Sequence, residues 1–277
     1  MDVINVKNLK YVYPDGTEVD FGAESEFTVR KGEKVVLLGA NGSGKSTLLS
    51  VIMGLLKPSK GNVKVLGLSP TEGFKQVRKR LGVVFQNVDE QIIGPRVYDD
   101  IAFTLRQNGM DKEKIEARVK EVTSMLRIED KLNKIPHYLS GGEKQKVALA
   151  GAIVHQPEIL ILDEPLDSLD VKSRGEVEDI LNKLNDEMGI TVILTTHEVN
   201  WVSGFANTVY LLSKGSIVSK GSPKEVLVDE SKLFESGLEA PVLVSFFQRL
   251  RKNGFNLEIP VDIEEAETLL ARYLSEL

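Results

Sequence analysis

An α/β fold built on a mainly parallel sheet is what this sequence predicts, and three observations carry the expectation. Four short runs, Val35–Leu38, Leu81–Phe85, Ile159–Leu162 and Thr191–Thr196, read as strands buried on both faces. Segments with helical spacing separate them. Gly39-Ala40-Asn41-Gly42-Ser43-Gly44-Lys45-Ser46-Thr47 joins the first run to one such segment and fits the phosphate-loop pattern G-x-x-x-x-G-K-[ST] without a mismatch.

The chain opens with strand-like alternation at Val3–Val6 and Leu9, then Tyr11-Val12-Tyr13 before the turn signal Pro14-Asp15-Gly16. Phe27-Thr28-Val29 is a second short strand, so a small antiparallel sheet is expected beside the core. Tyr13 reads either as an aromatic face for an adenine or as a half-buried strand tyrosine. Ser46 to Met53 reads as a helix ending at Gly54. The loop glycines let backbone N–H groups close on a polyphosphate, and the helix start adds a favourable dipole. In that motif Lys45 meets the β- and γ-phosphates and Ser46 binds Mg²⁺.

Asn62–Leu66 is the next strand, and Phe74–Arg80 a short basic helix. The strand Leu81–Phe85 delivers Gln86 at its carboxyl end, where α/β sheets bind ligands. There Gln86 is either a reach towards Mg²⁺ and the γ-phosphate or an ordinary polar residue. Val97–Gln107 and Lys112–Met125 are amphipathic and helical, a helical insertion of about 87–155. It closes on Ser140-Gly141-Gly142, at the start of a helix from Glu143 to Val154. That start is either a second anion site or a plain cap.

Ile159-Leu160-Ile161-Leu162 ends in Asp163-Glu164, two adjacent carboxylates opposite the phosphate loop. Asp163 suits the Mg²⁺ shell, and Glu164 suits proton removal from an attacking water. Ser168-Leu169-Asp170 is a polar turn into a helix over Ser173–Leu184. His197 follows the strand Thr191–Thr196 and reads as a contact to the γ-phosphate or its water, or as structural. Val209–Leu212 and Ser216–Ser219 form a closing hairpin. The break Gly221-Ser222-Pro223 sets a boundary between 1–221 and a tail of 222–277. The tail is expected to hold two helices, with stripes Val242, Leu243, Phe246, Phe247, Leu250 and Ile263, Ala266, Leu269, Leu270, Tyr273, Leu274, Leu277.

Composition narrows the function classes. The chain has 277 residues, 42% of them apolar, enough for a sizeable core. It has no cysteine, which excludes disulfides and thiolate metal sites. A net charge of −6 argues against a general nucleic-acid binder. The tail holds six Lys/Arg against eleven Asp/Glu, a balance of −5, while the rest is near neutral. No apolar run approaches the ~18–20 residues of a bilayer span, and no secretory signal is read. A soluble protein, or one peripheral through a partner, is expected.

These motifs, in this order, resemble the nucleotide-binding subunit of ATP-binding cassette (ABC) transporters over Met1 to Gly221. The resemblance implies a P-loop NTPase core with an N-terminal antiparallel β subdomain, an inserted helical subdomain and a small C-terminal helical extension. It implies ATP and Mg²⁺. Tyr13, Gly39, Asn41, Gly42, Ser43, Gly44, Lys45, Ser46 and Thr47 would bind the nucleotide. Gln86, Glu164 and His197 would be catalytic, with Glu164 the general base. Ser46, Gln86 and Asp163 would hold the metal. Leu139-Ser140-Gly141-Gly142-Glu143 resembles the family signature, with Glu143 where Gln is usual. It and Asp170 of the polar turn would serve ATP bound to a second ATPase subunit.

Phe85–Gln91 and Val97–Phe103 resemble more narrowly the ATPases of energy-coupling factor (ECF) transporters, with Val88 where those have proline. That implies import of vitamins, cobalt or nickel, and dimerisation through the tail with an identical or a related chain. It also implies an integral membrane coupling subunit, a substrate-binding membrane subunit and a place on the cytoplasmic face of the membrane. No nucleic-acid partner is expected. The rival readings are a soluble ABC ATPase of DNA repair or translation, and a small-molecule kinase.

Overall fold

The computed structural model describes residues 1–22, 25–167 and 169–275. Among them ten strands form two sheets: β1 (Asp2–Val12), β2 (Glu18–Asp20), β3 (Glu26–Arg30), β4 (Lys34–Leu38), β5 (Lys60–Val65), β6 (Leu81–Val84), β7 (Ile159–Leu162), β8 (Thr191–Thr196), β9 (Thr208–Ser213) and β10 (Ser216–Gly221). The first sheet is antiparallel: the long β1 pairs with β3 through Asp2–Lys7, with β2 through Lys10–Val12, and with β5. The second runs β10-β9-β4-β8-β7-β6 and is parallel except for the β9–β10 hairpin.

The aliphatic runs are continuous because both faces of the second sheet are covered. Successive side chains of a strand point to opposite faces. Val36, Leu38, Leu160, Leu162, Val192 and Leu194 enter one core, which the helices of the insertion close. Val35, Leu37, Ile159, Ile161 and Ile193 enter the other, against β1, β3, β5 and the helix Lys45–Ile52. Tyr210 of β9 is wholly buried there, its hydroxyl donating to the Thr28 carbonyl at 2.8 Å and accepting the Thr28 N–H at 3.1 Å. The antiparallel sheet is thereby tied to the parallel one. Each fully buried Leu or Val contributes about 1.5–3 kcal/mol of transfer free energy.

The insertion contains the helices Val97–Gln107, Lys112–Leu126 and Gly141–Ile153. The first two turn Ile101, Leu105, Ile115, Val119 and Val122 inwards at spacings of three or four, as amphipathic helices do. The strand expected over Leu81–Phe85 stops at Val84, and Phe85 is exposed.

The tail departs from the expectation of two helices. Among the described residues it holds four: Pro223–Leu227, Glu230–Glu235, Val242–Lys252 and Ile263–Ser275. The first two are too short to show periodicity; caps define them. Ser222 and Glu225 form a capping box, and Asp229 accepts from Lys232 N. Their Val226, Leu227 and Leu233 join the main core. Neither expected stripe is buried as a unit. Val244 and Phe247 face inwards, whereas Val242 and Phe246 are exposed. In the last helix Ala266 and Leu269 are buried, and Ile263, Leu270 and Leu274 are exposed. Leu277 lies outside the described residues. Helical spacing names an apolar face but not what covers it.

Candidate active site

Sheet order brings four separate segments side by side. β4, β8, β7 and β6 are consecutive parallel neighbours. Their carboxyl ends deliver, in turn, the glycine loop, His197, the Asp163–Glu164 pair and Gln86.

The loop is fitted closely to the sheet. Gly39 donates its N–H to the Thr196 carbonyl at 3.1 Å. A Cβ on Gly39 would lie 2.5 Å from Ser43 Oγ and 2.6 Å from the Leu212 carbonyl, so only glycine fits. Gly44 turns into the helix Lys45–Ile52 with φ of 101°, a conformation cheap only for glycine. No side chain caps that helix start, and the Ser43 hydroxyl is buried without a hydrogen-bond partner. Free N–H groups, an orphaned hydroxyl and a lysine together fit a polyphosphate. Asn41 and Gly42 are exposed on this loop, and Ser46 is exposed in the first turn of the helix. Tyr13, at the end of β1, bonds through its hydroxyl to Thr47 Oγ1 at 2.8 Å and so stands beside the loop.

Lys45 is buried. Its Nζ donates to the Gly39 carbonyl at 2.8 Å and lies 3.2 Å from Glu164 Oε1. The other Glu164 oxygen accepts from Gln86 Nε2 at 3.3 Å and lies 3.5 Å from His197 Nδ1. Glu164 adopts a left-handed φ of 46°, unusual for a residue with a side chain. Thr195 bridges the two acidic residues. Its hydroxyl donates to Asp163 Oδ1 at 2.6 Å and accepts the Glu164 N–H at 2.8 Å. On the outer side, His197 Nε2 is 3.5 Å from Asp167 Oδ1.

Ser140-Gly141-Gly142 opens the helix Gly141–Ile153. Ser140 and Glu143 close a capping box, and Glu143 Oε1 meets Lys131 Nζ at 2.8 Å. The Lys131 ammonium, aided by the Ser140 N–H, holds the Glu143 carboxyl down to about 2. Gly142 packs on Ser173: a Cβ there would collide with Ser173 Oγ. Asp170 caps the helix Val171–Asp186 by accepting Ser173 N–H at 2.9 Å, which lowers its carboxyl below the usual range.

The model of the family described as ABC transporter matches residues 23–167 of this chain. The chain is 40% identical over 280 residues to the energy-coupling factor transporter ATP-binding protein EcfA of Methanocaldococcus jannaschii, covering 100% of this chain and 99% of that one. Among solved structures it resembles CbiO1 from Clostridium perfringens, described as part of the ABC transporter complex CbiONQ, with a TM-score of 0.76 and 32% identity over 89% of this chain and 99% of that one. It also resembles a dimeric bacterial ABC transporter cassette, with a TM-score of 0.70 and 30% identity over 79% and 98% of the two chains. This chain belongs to the ABC transporter ATPase family.

An ABC ATPase binds and hydrolyses ATP, and the α/β cassette fold is the one described above. In this ABC ATPase the structure gathers Lys45, Gln86, Asp163, Glu164 and His197 around one sheet edge, with Tyr13 and Thr47 alongside. Ser140–Gly142 stands apart: among the described residues no hydrogen bond or ion pair joins it to Gly39–Thr47. It meets the Asp170 turn instead, through Gly142 and Ser173. Ser168 of that turn lies outside the described residues. Sequence reasoning missed Thr195, Asp167 and Lys131. A polar residue directly after the aliphatic run Val192-Ile193-Leu194, still within the buried strand, was the available signal for Thr195. No local signal marks the other two. Among the described residues, no helix is long and apolar enough to cross a membrane.

Proposed function

We propose that this ATPase energises an ECF-type importer of a vitamin or a transition-metal ion. The observation that carries the reading is the end-to-end similarity to a protein named as an energy-coupling factor ATPase, tail included.

ATP lies along Gly39–Thr47, with Lys45 on its terminal phosphates and Tyr13 against the adenine. Ser46, Gln86 and Asp163 supply the oxygen donors that suit Mg²⁺, which when bound neutralises charge on the phosphate oxygens. Glu164 takes a proton from the attacking water. His197, 3.5 Å from Glu164, orients that water and the γ-phosphate. The rest of the catalysis is positioning and charge stabilisation.

The N-terminus of the helix Gly141–Ile153, bounded by Asp170, serves the ATP of a partner ATPase, either a second copy or a related chain. ATP therefore makes contacts in the closed pair that the open pair lacks, and it shifts that equilibrium. Hydrolysis removes them. The Gln86 segment passes the motion to a membrane coupling subunit and its substrate-binding partner, which places the chain peripherally on the cytoplasmic face. Residues 1–221 form the nucleotide-binding domain, and 222–277 a dimerisation element. Exposed Phe234, Val242, Phe246, Ile263 and Leu274 support that role for the tail.

Purification of the tagged chain from gently solubilised membranes tests the reading. Small integral membrane proteins are expected in stoichiometric amount. Recovery only with ribosomes or DNA would overturn it.

A further inference from the structure

We propose that Thr195 is a positioning residue that aims both acidic residues of the active site through a single hydroxyl. The proposal rests on the roles given above to Asp163 and Glu164. Thr195 is wholly buried in β8, which lies between β4 and β7. A hydroxyl carries one proton and two lone pairs, so it can donate once and accept as well. Both bonds have a fixed sense here. An ionised carboxylate only accepts, so the proton points to Asp163 Oδ1 at 2.6 Å. A backbone N–H only donates, so a lone pair faces Glu164 N at 2.8 Å.

The second bond holds an unusual turn. Glu164 has a φ of 46°, and residues with side chains persist in that region where their surroundings hold them. The turn directs the Glu164 carboxylate back towards Lys45, Gln86 and His197. The first bond fixes one oxygen of Asp163. A valine would fill nearly the same space in β8, yet it could make neither bond. A buried hydroxyl is unfavourable unless it is hydrogen-bonded, and this one is bonded twice. Thr195 touches neither substrate nor metal in this scheme; it acts through its two neighbours.

The test compares Thr195→Val with Thr195→Ser, which keeps the hydroxyl. Thr195→Val is expected to lower kcat about 10–100-fold, as loss of outer-shell partners does, with KM for ATP little changed. Its Mn²⁺ affinity, read by electron paramagnetic resonance with a non-hydrolysable ATP analogue bound, should fall as well. Thr195→Ser should restore both quantities. Parent-like kcat in Thr195→Val would overturn the proposal. So would a Thr195→Ser variant as slow as the valine, or an equal loss of analogue binding in both. If the valine variant does not fold, Thr195→Cys, similar in size and a weak donor, is judged by the same criteria. Glu164→Gln is assayed in parallel. Parent-like turnover there would sink the reading of the site itself, whereas an inactive Glu164→Gln beside a normal Thr195→Val sinks only the role of Thr195.

Discussion

Lys45 Nζ and Glu164 Oε1 face each other at 3.2 Å, with both side chains almost wholly buried. The carboxylate thus has a cation on one oxygen, while Gln86 and His197 approach the other. Glutamine keeps the shape of Glu164 and can still accept from Gln86, but it is no base. Glu164→Gln is therefore expected to lose about 10²-fold or more in kcat, the usual scale of a general base. ATP affinity should stay near that of the parent, because Lys45 and the loop remain. The ATP-loaded variant should accumulate as a dimer on a sizing column. Single-turnover hydrolysis and equilibrium ATP binding check this; parent-like turnover would remove Glu164 from the chemistry.

Glu143 gives a prediction in pH. Its folded-state carboxyl sits at about 2, against an ordinary 4.5, chiefly because of the Lys131 ammonium. A depressed carboxylate stabilises the fold above its unfolded value, and that contribution fades as pH falls towards the folded value. Glu143→Gln keeps the capping box, which accepts either residue, but carries no charge. The parent should thus melt higher than Glu143→Gln at neutral pH, with the gap closing between pH 4.5 and pH 2. Paired thermal melts across that range measure it. A gap independent of pH would mean that the Lys131–Glu143 pair adds no stability.

The parallel sheet was legible because burial on both faces writes itself as unbroken aliphatic runs. Gln86, Asp163, Glu164 and His197 were legible for a related reason: each follows such a run, at the end where ligands bind. Sheet order was not legible, since β4 pairs with β8 across more than 150 residues of chain. The role of Thr195 depends on that order; its value lies in having Asp163 and Glu164 one strand away. Asp167 and His197 meet for the same reason. In the tail the expected stripe joined Val242 and Phe246 to Phe247, yet spacing cannot say what covers a face: Val242 and Phe246 stay uncovered, while Phe247 turns inwards with Val244, which the stripe did not include.

That uncovered face can be tested directly. Phe234, Val242 and Phe246 line one groove between the helices Glu230–Glu235 and Val242–Lys252. Exposed side chains contribute little to the fold, so Phe234→Ser with Phe246→Ser should leave the melting temperature almost unchanged. Aromatic anchors at an interface are often worth more than about 1.4 kcal/mol, a tenfold change in affinity. The double variant should weaken ATP-dependent dimerisation by about tenfold or more on that scale, read by sedimentation in a Glu164→Gln background. Unchanged dimerisation would place the interface elsewhere.

Gly142 and Ser173 join the signature turn to the start of the next core helix. An alanine Cβ at position 142 would collide with Ser173 Oγ and lie 2.8 Å from Ser173 Cβ, nearer than real contacts allow. Ser173 cannot simply rotate away, because its hydroxyl donates to Asp170 Oδ2 at 2.9 Å and its N–H to Asp170 Oδ1 at 2.9 Å. Gly142→Ala should therefore displace the helix Gly141–Ile153 from its neighbour and slow hydrolysis. Catalytic geometry is sensitive to such shifts, with about 10²-fold at stake for an ångström. Ser173→Gly removes both clashing atoms. The double variant should recover much of the lost rate even though Ser173→Gly alone forfeits part of the Asp170 cap. A double-mutant cycle on kcat/KM measures the coupling. Simple additivity would show that the two turns do not communicate through this contact, and that Gly142 is glycine for a reason other than Ser173.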